Sequence, residues 1–211
     1  ANGQYAIHQL TATDADDVNP IYAPGGRVVF VTNQMYTTMG TRADEYEHGR
    51  VVTQLASITV DGGDADRHLF SQNLSHTAAP FMRYDGKVGY SRWEHLGDVN
   101  DVKIMTASID GTQMLAVAGQ HGKPSNSIIN VKEYAPNQYV AIGTTRNRTI
   151  HAGTLMLVDA RNHNDAARPD DPAHQTGNAC PHEDHPTPTI LTPTVTTRND
   201  PSPAGRYREP N

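Results

Sequence analysis

Histidine is the residue in this sequence that could most readily do chemistry. The chain has 11 histidines among 211 residues, and imidazole serves both as a metal ligand and as a proton-transfer group near neutral pH. Five of them fall between short apolar segments, and therefore in predicted loops: His48, His76, His95, His121 and His151. If these loops meet, they offer a metal or proton-transfer site; the alternative is that a histidine-rich chain scatters them over polar loops.

The loop that carries His48 spans residues 33–50 and is unusually long, and such loops tend to carry function or disorder. It also contains Asp44, Glu45 and Glu47, so its oxygen and nitrogen atoms could bind a cation. A solvated loop covering one end of the fold would need no ligand.

The only tryptophan lies in the segment Arg92-Trp93-Glu94-His95, at the predicted end of a strand. Glu94 and His95 could form an acid/base or ligand pair. The alternative is packing by Trp93, with Arg92 and Glu94 in ion pairs.

A polar, Pro-rich segment contains Cys180, His182 and His185. These are ligand types that zinc or haem iron accepts, although their spacing matches no well-specified site. The alternatives are a surface loop without a ligand and a disulfide from Cys180 to another segment.

The segments that must position these side chains are short, rich in β-branched residues and bounded by turn residues, which is typical of strands. They are residues 28–31, 55–60, 87–91, 102–106, 138–142 and 155–158. The predicted fold class is therefore all-β.

Turn residues recur in a fixed order along the chain. Gly86 follows Gly26 by 60 residues, and Asn137 follows Gly86 by 51. Asp-Gly and Asn-Gln pairs supply the positive φ that tight hairpins require, which we expect at Gly86 and Gly111. A repeat of about 50 residues with four strands matches a propeller blade, and the alternative is a β-sandwich.

The repeat divides the chain into blades at 18–74, 75–122 and 123–195, the last with a Pro- and His-rich insertion at 160–188. Residues 1–17 are expected to hold the outer strand of a preceding blade, at 5–10, and residues 196–211 to begin a following one. A ring normally needs about four to eight blades, so we expect these to be part of a larger propeller.

The blade register predicts which end of the fold each loop occupies. Loops between second and third strands lie on the same face as the connections between blades, and the tight turns lie on the other. All five candidate histidines should therefore lie opposite the turn glycines, which are Gly62, Gly86 and Gly111.

Residues 20–30 (Pro-Ile-Tyr-Ala-Pro-Gly-Gly-Arg-Val-Val-Phe) and 85–90 (Asp-Gly-Lys-Val-Gly-Tyr) resemble the repeat of TolB-like β-propellers. In that family an Asp-Gly turn precedes the second strand and another precedes the outermost strand. This chain departs from the pattern at Gly25, which replaces the Asp, and in the third unit, which lacks the Asp-Gly pairs.

A second resemblance is to exported propeller proteins of the hydrazine synthase alpha-subunit type. It rests on residues 91–95 (Ser-Arg-Trp-Glu-His), 151–155 (His-Ala-Gly-Thr-Leu) and 205–210 (Gly-Arg-Tyr-Arg-Glu-Pro). That family joins a propeller to covalently attached haems. No Cys-x-x-Cys-His occurs here, so the resemblance implies that any haem is carried on another part of the polypeptide.

Composition narrows the function. The net charge is −6 without a Lys/Arg cluster, which argues against a nucleic-acid partner, and no apolar run is long enough to span a membrane. We expect a periplasmic or extracellular binding or scaffold module, whose partner is another protein or the rest of the propeller. The alternative is the propeller part of a redox enzyme that depends on haem or a divalent metal; the sequence leaves open whether the protein is an enzyme.

Overall fold

The structure is a computed structural model that describes residues 6–34, 51–70, 76–96, 99–118, 127–144, 152–161, 188–195, 202–208 and 210. For residues 94–96 and 99–101 it describes the backbone alone. Within these ranges no helix has the length and apolar character that a membrane crossing requires.

The described chain forms three antiparallel meanders of four strands each. The first contains β1 (Asp17–Ala23), β2 (Arg27–Thr32), β3 (Gln54–Thr59) and β4 (His68–Leu69). The second contains β5 (Thr77–Met82), β6 (Val88–Leu96), β7 (Val99–Ala107) and β8 (Leu115–Ala118). The third contains β9 (Ser127–Ala135), β10 (Gln138–Thr144), β11 (Thr154–Asp159) and β12 (Thr189–Ile190). The all-β propeller segment of three four-stranded blades is confirmed, while the boundaries at 18–74, 75–122 and 123–195 stay predictions.

Two apolar clusters hold neighbouring meanders together, because a lone meander would leave a face uncovered. Side chains from the first and second meanders share one cluster: Val29, Val31, Leu55, Phe70, Val88, Tyr90, Met105 and Ala107. Side chains from the second and third share the other: Phe81, Ile104, Ala118, Ile128, Val131, Tyr139, Ala141 and Val158. Each large side chain buried in this way contributes about 1.5–3 kcal/mol.

The turns between strands agree with the sequence at three positions and differ at one. Gly86, Gly111 and Asn137 have φ of 80°, 84° and 58°. Gly62 instead has φ −87°, because the chain enters a 3₁₀ turn at Gly63–Asp66 rather than a tight hairpin. This wider turn is held by the Asp66 carboxylate, which accepts the Thr59 N–H at 3.0 Å.

Two segments differ from the strand predictions. Residues 6–10, the described part of the expected outer strand at 5–10, pair with no described strand, and Ile7 is fully exposed. β6 and β7 extend beyond 87–91 and 102–106, so His95 lies within β6 rather than in a loop. Trp93, Glu94 and His95 lie opposite residues 102, 101 and 100. The predicted start of a following blade touches the third meander, since Tyr207 forms an antiparallel bridge with Gly153.

Arg67 ties the first strand to the outer part of the first meander. The Arg67 side chain is 4% exposed. Its guanidinium donates two hydrogen bonds to the Asp17 carboxylate and one each to Asp64 and Thr32. It also lies 4.9 Å from the centre of the Phe30 ring. Burial raises the pKa of Asp17, but the hydrogen bonds from Arg67 and Thr32 outweigh it and hold that pKa below its usual value.

We expect Arg67→Met to lower the free energy of unfolding by about 2–4 kcal/mol, because it strands the Asp17 carboxylate in a mostly buried place. Since the pKa of Asp17 is depressed in the folded state, its contribution is present above the ordinary carboxyl pKa and is lost as the pH falls through the folded value. The difference between variant and wild type should therefore shrink in acid. Denaturant titrations at several pH values measure it.

The matched control is Arg161→Met, which breaks the exposed pair with Asp159 and should leave stability nearly unchanged. Equal losses in the two variants would contradict the structural role of Arg67.

Replacing Gly86 or Gly111 with Val should destabilise the chain by about 1–3 kcal/mol, since both glycines have positive φ. The loss should be larger at Gly111, where an added Cβ would lie 2.9 Å from the Phe70 carbonyl oxygen. Gly86→Asn should be tolerated, because Asn adopts the left-handed conformation more readily. Thermal unfolding measures all three, and a fully stable Gly111→Val variant would refute the turn geometry.

Candidate functional site

His76 and Trp93 meet at the loop end of the second meander, where β5 begins. His76 directly precedes β5, and Trp93 lies in the adjacent strand β6. The backbone N–H of Trp93 donates to the backbone carbonyl of His76 at 2.8 Å. Their rings stack with centroids 5.4 Å apart and an interplanar angle of 3°. Both side chains are half-buried. The pair therefore forms a flat aromatic surface that reaches solvent, which we call the His76–Trp93 platform.

Thr53 of the first meander fixes the imidazole of this platform. Its backbone N–H donates to His76 Nδ1 at 3.3 Å. A backbone N–H can only donate, so Nδ1 is an acceptor and the proton of the neutral ring lies on Nε2. The Thr53 hydroxyl donates to the Thr77 carbonyl at 2.8 Å, and the Thr77 N–H donates back to the Thr53 carbonyl at 2.9 Å. The platform is thus anchored across the seam between two blades.

The described residues agree with the predicted placement of the two ends. β5 begins directly after His76 and leads to the turn that contains Gly86, and β6 returns from that turn through His95. Gly111 follows β7 and so lies at the same end as Gly86. His76 and the backbone of His95 therefore lie at the end opposite these two glycines.

Most of the other candidate residues lie outside the described residues, and their convergence stays a prediction. These are the acidic loop at 35–50 with Asp44, Glu45, Glu47 and His48, the histidines at 121 and 151, the side chains of Glu94 and His95, and the group Cys180, His182 and His185. In the ranges the structure does describe, no three His, Cys, Asp or Glu residues are placed to hold a metal ion.

A second candidate site lies between the inner strands of the three blades. A cavity of about 250 Å³ opens there, which we call the axial cavity; its lining residues are Asn19, Pro20, Ile21, Ala79, Pro80, Asn130, Val131 and Lys132. All of them come from β1, β5 and β9, so each blade contributes the same strand.

A left-handed residue occurs at the equivalent point of each inner strand. Asn19, Ala79 and Asn130 have φ of 53°, 48° and 49°. At each one the strand bulges, so that two of its residues face a single residue of the second strand: Phe30, Tyr90 and Ala141 respectively. Bulges of this kind re-aim backbone and side chains and are common beside functional sites.

The spacing of residues in the sequence also carries a signal for these bulges. Ala79 follows Asn19 by 60 residues and Asn130 follows Ala79 by 51, which are the spacings of the hairpin turns. Pro20 and Pro80 come next in two of the blades, and proline inside a sheet is confined to edges and bulges. The repeat therefore predicts the positions of the bulge residues that line the axial cavity, as well as the positions of the turns.

Polar groups also join the second and third blades at the turn end. Arg83 donates to Thr106 Oγ1 at 3.0 Å and to Asn137 Oδ1 at 2.8 Å. The Glu133 carboxylate accepts from the backbone N–H groups of Tyr84 and Asn137. Every one of these groups is engaged in holding the turns, so the arrangement reads as a structural lock between blades.

Two tyrosine hydroxyl groups, those of Tyr90 and Tyr139, are buried in the blade seams. Burial raises the pKa of Tyr90 and of Tyr139 to about 12. Both side chains are fully buried, and the Tyr90 hydroxyl has no hydrogen-bond partner among the described residues. At neutral pH these groups stay protonated and serve packing.

Three stacked meanders around an axial cavity define the chain as a β-propeller segment. Among solved structures, it is similar to hydrazine synthase from Kuenenia stuttgartiensis, with a TM-score of 0.59 and 15% sequence identity. The match covers 74% of this chain and 27% of that chain, and at this identity it shows the fold alone. No protein-family model and no curated protein sequence matches the chain.

We expect the chain to lose stability as the pH rises from 10 to about 12, because the pKa of Tyr90 and of Tyr139 is raised in the folded state. The double variant Tyr90→Phe with Tyr139→Phe should lose less stability over this interval, and at neutral pH Tyr90→Phe should be as stable as wild type or more so. Denaturant unfolding measures both effects. A double variant with the alkaline instability of wild type would contradict the burial of the two hydroxyls.

Proposed function

We propose that this chain is an exported propeller module that acts as a binding or scaffold surface, and that its partner docks on the loop end around the His76–Trp93 platform. The observation that carries the proposal is the anchoring of this platform across a blade seam by Thr53. The partner is another protein or the remaining part of the same propeller.

A platform of this kind suits protein recognition. Tryptophan is enriched among the residues that contribute most to protein interfaces, because it buries a large area at small conformational cost. The Trp93 ring is already ordered by its stack on His76, so little entropy remains to be lost on binding. The blade register predicts His48 and His151 on the same face, where they would add partner contacts.

Export to the periplasm or the cell exterior, and the TolB-like character of the repeat, belong to the same proposal. Export rests on the resemblance of residues 91–95, 151–155 and 205–210 to exported propeller proteins. The TolB-like character rests on residues 20–30 and 85–90. A binding role is compatible with TolB-like repeats, because the loops at the ends of the blades can serve as a recognition surface.

The test compares the wild-type chain with Trp93→Ala and with Tyr22→Ala, an exposed aromatic at the turn end of β1. Each immobilised chain is incubated with an extract of the source cells. We expect the partner recovered by wild type and by Tyr22→Ala to be lost with Trp93→Ala. Because Trp93 is the only tryptophan, titration with that partner should also shift the emission of wild type.

Recovery of the same proteins by all three chains would refute docking at the platform. Far- and near-ultraviolet circular dichroism should show that Trp93→Ala is folded. A folded variant that fails to bind has then lost the docking surface and not the fold.

The second candidate function is the propeller part of a redox enzyme that uses haem or a metal. The similarity to a hydrazine synthase chain favours it, and His95, His121 and His151 would then lie near the reacting group. A visible absorption spectrum and metal analysis of the intact protein distinguish the two functions. A Soret band or a stoichiometric metal would favour the enzyme, and the lack of both would favour the scaffold.

A further inference from the structure

We propose that the axial cavity binds a small organic anion, a short-chain carboxylate, between the bulges of the three inner strands. The cavity lies between β1, β5 and β9, and neither residue of the His76–Trp93 platform lines it. The inference therefore stands apart from the binding or scaffold function.

The charge of the lining selects an anion. Lys132 is the only residue with a formal charge among the eight that line the cavity, and it has no ion-pair partner among the described residues. Asn19 and Asn130 add carboxamide N–H donors. A divalent cation prefers carboxylate oxygens, and this lining has none.

The remaining lining selects an organic anion over an inorganic one. Pro20, Ile21 and Ala79 are the apolar lining residues that are not buried, and proline has no N–H to offer an additional phosphate oxygen. A water molecule occupies about 30 Å³ of liquid, so a cavity of about 250 Å³ holds an anion of several heavy atoms. One polar end and a short apolar tail match this lining.

The backbone of the cavity is strained at one residue of each inner strand. A left-handed conformation costs a non-glycine residue about 1–2 kcal/mol, and Ala79 has no side-chain hydrogen bond to offset it. The same conformation recurs at Asn19 and Asn130, so all three blades carry this cost at the same place. Strain of this kind collects where a ligand is held.

The experiment is isothermal titration calorimetry of the full chain with butyrate, and with inorganic phosphate as the second probe. We expect saturable binding of butyrate that is tighter than that of phosphate. Lys132→Met should weaken butyrate binding about tenfold or more, because a charge-assisted hydrogen bond is lost. Lys132 is exposed in a strand, so the variant should fold normally.

Two control variants separate the cavity from general effects. Lys87→Met removes the same charge from the turn end, where Lys87 does not line the cavity, and should bind butyrate like wild type. Asn130→Gly keeps the left-handed backbone available while removing the carboxamide, and should weaken binding severalfold. Trp93→Ala should bind butyrate like wild type. The comparison therefore distinguishes loss of partner docking at the platform from loss of anion binding in the axial cavity.

Three outcomes would overturn the proposal. They are no saturable binding of butyrate by the wild-type chain, phosphate binding as tight as or tighter than butyrate, and butyrate affinity that does not change in Lys132→Met.

Discussion

Among the described strands, the inner strand of each blade has one edge that is largely unpaired, and the rest of the structure depends on how that edge is accommodated. Only β9 meets a second strand along this edge, in one parallel bridge between Ser127 and Val102 of β7. The ladders show that β1, β5 and β9 pair along one side with the second strand of their own blade. A straight strand would present a continuous row of unpaired N–H and C=O groups toward the axis. Instead, each strand bulges at a left-handed residue, Asn19, Ala79 or Asn130. The three bulge residues line the axial cavity between the blades.

Around this axis, the seams between blades are closed by different interactions at different depths. The middle of each seam is apolar, with Tyr90 in the first cluster and Tyr139 in the second. At the loop end of the first seam, Thr53 holds His76 and the strand that follows it. At the turn end of the second seam, Arg83 holds Asn137. Each of the two seams therefore combines an apolar middle with a polar contact at one end.

Much of the fold could be predicted because burial and turn chemistry are local. β2, β3, β10 and β11 lie within one or two residues of the predicted strands, since their apolar runs are bounded by turn residues. The predicted lengths of β6 and β7 are too short because polar residues such as Glu94 and Asp101 interrupt the apolar pattern, whereas the backbone pairing continues through them. The 3₁₀ turn after β3 depends on Asp66 and Thr59 meeting, a contact that no local pattern encodes.

In the candidate site too, local features could be predicted from the sequence, whereas contacts between strands could not. The sequence placed His76 at the correct end of the blade but gave no reason for it to stack on Trp93, because that contact depends on the register of β5 against β6. The bulge residues, by contrast, recur at the spacings of the turns and were available to the sequence. A repeat that is traced through its turns alone therefore misses the positions at which it approaches the axis.

The most direct test of this account is the solution conformation of the three bulge residues. The intraresidue Hα to amide-proton cross-peak in a nuclear Overhauser spectrum is strong when φ is positive, because the two protons are then close. We expect strong cross-peaks at Asn19, Ala79 and Asn130 and weak ones at the extended residues that precede them. Weak cross-peaks at all three positions would mean straight inner strands, and would contradict both the axial cavity and the arrangement of blades around it.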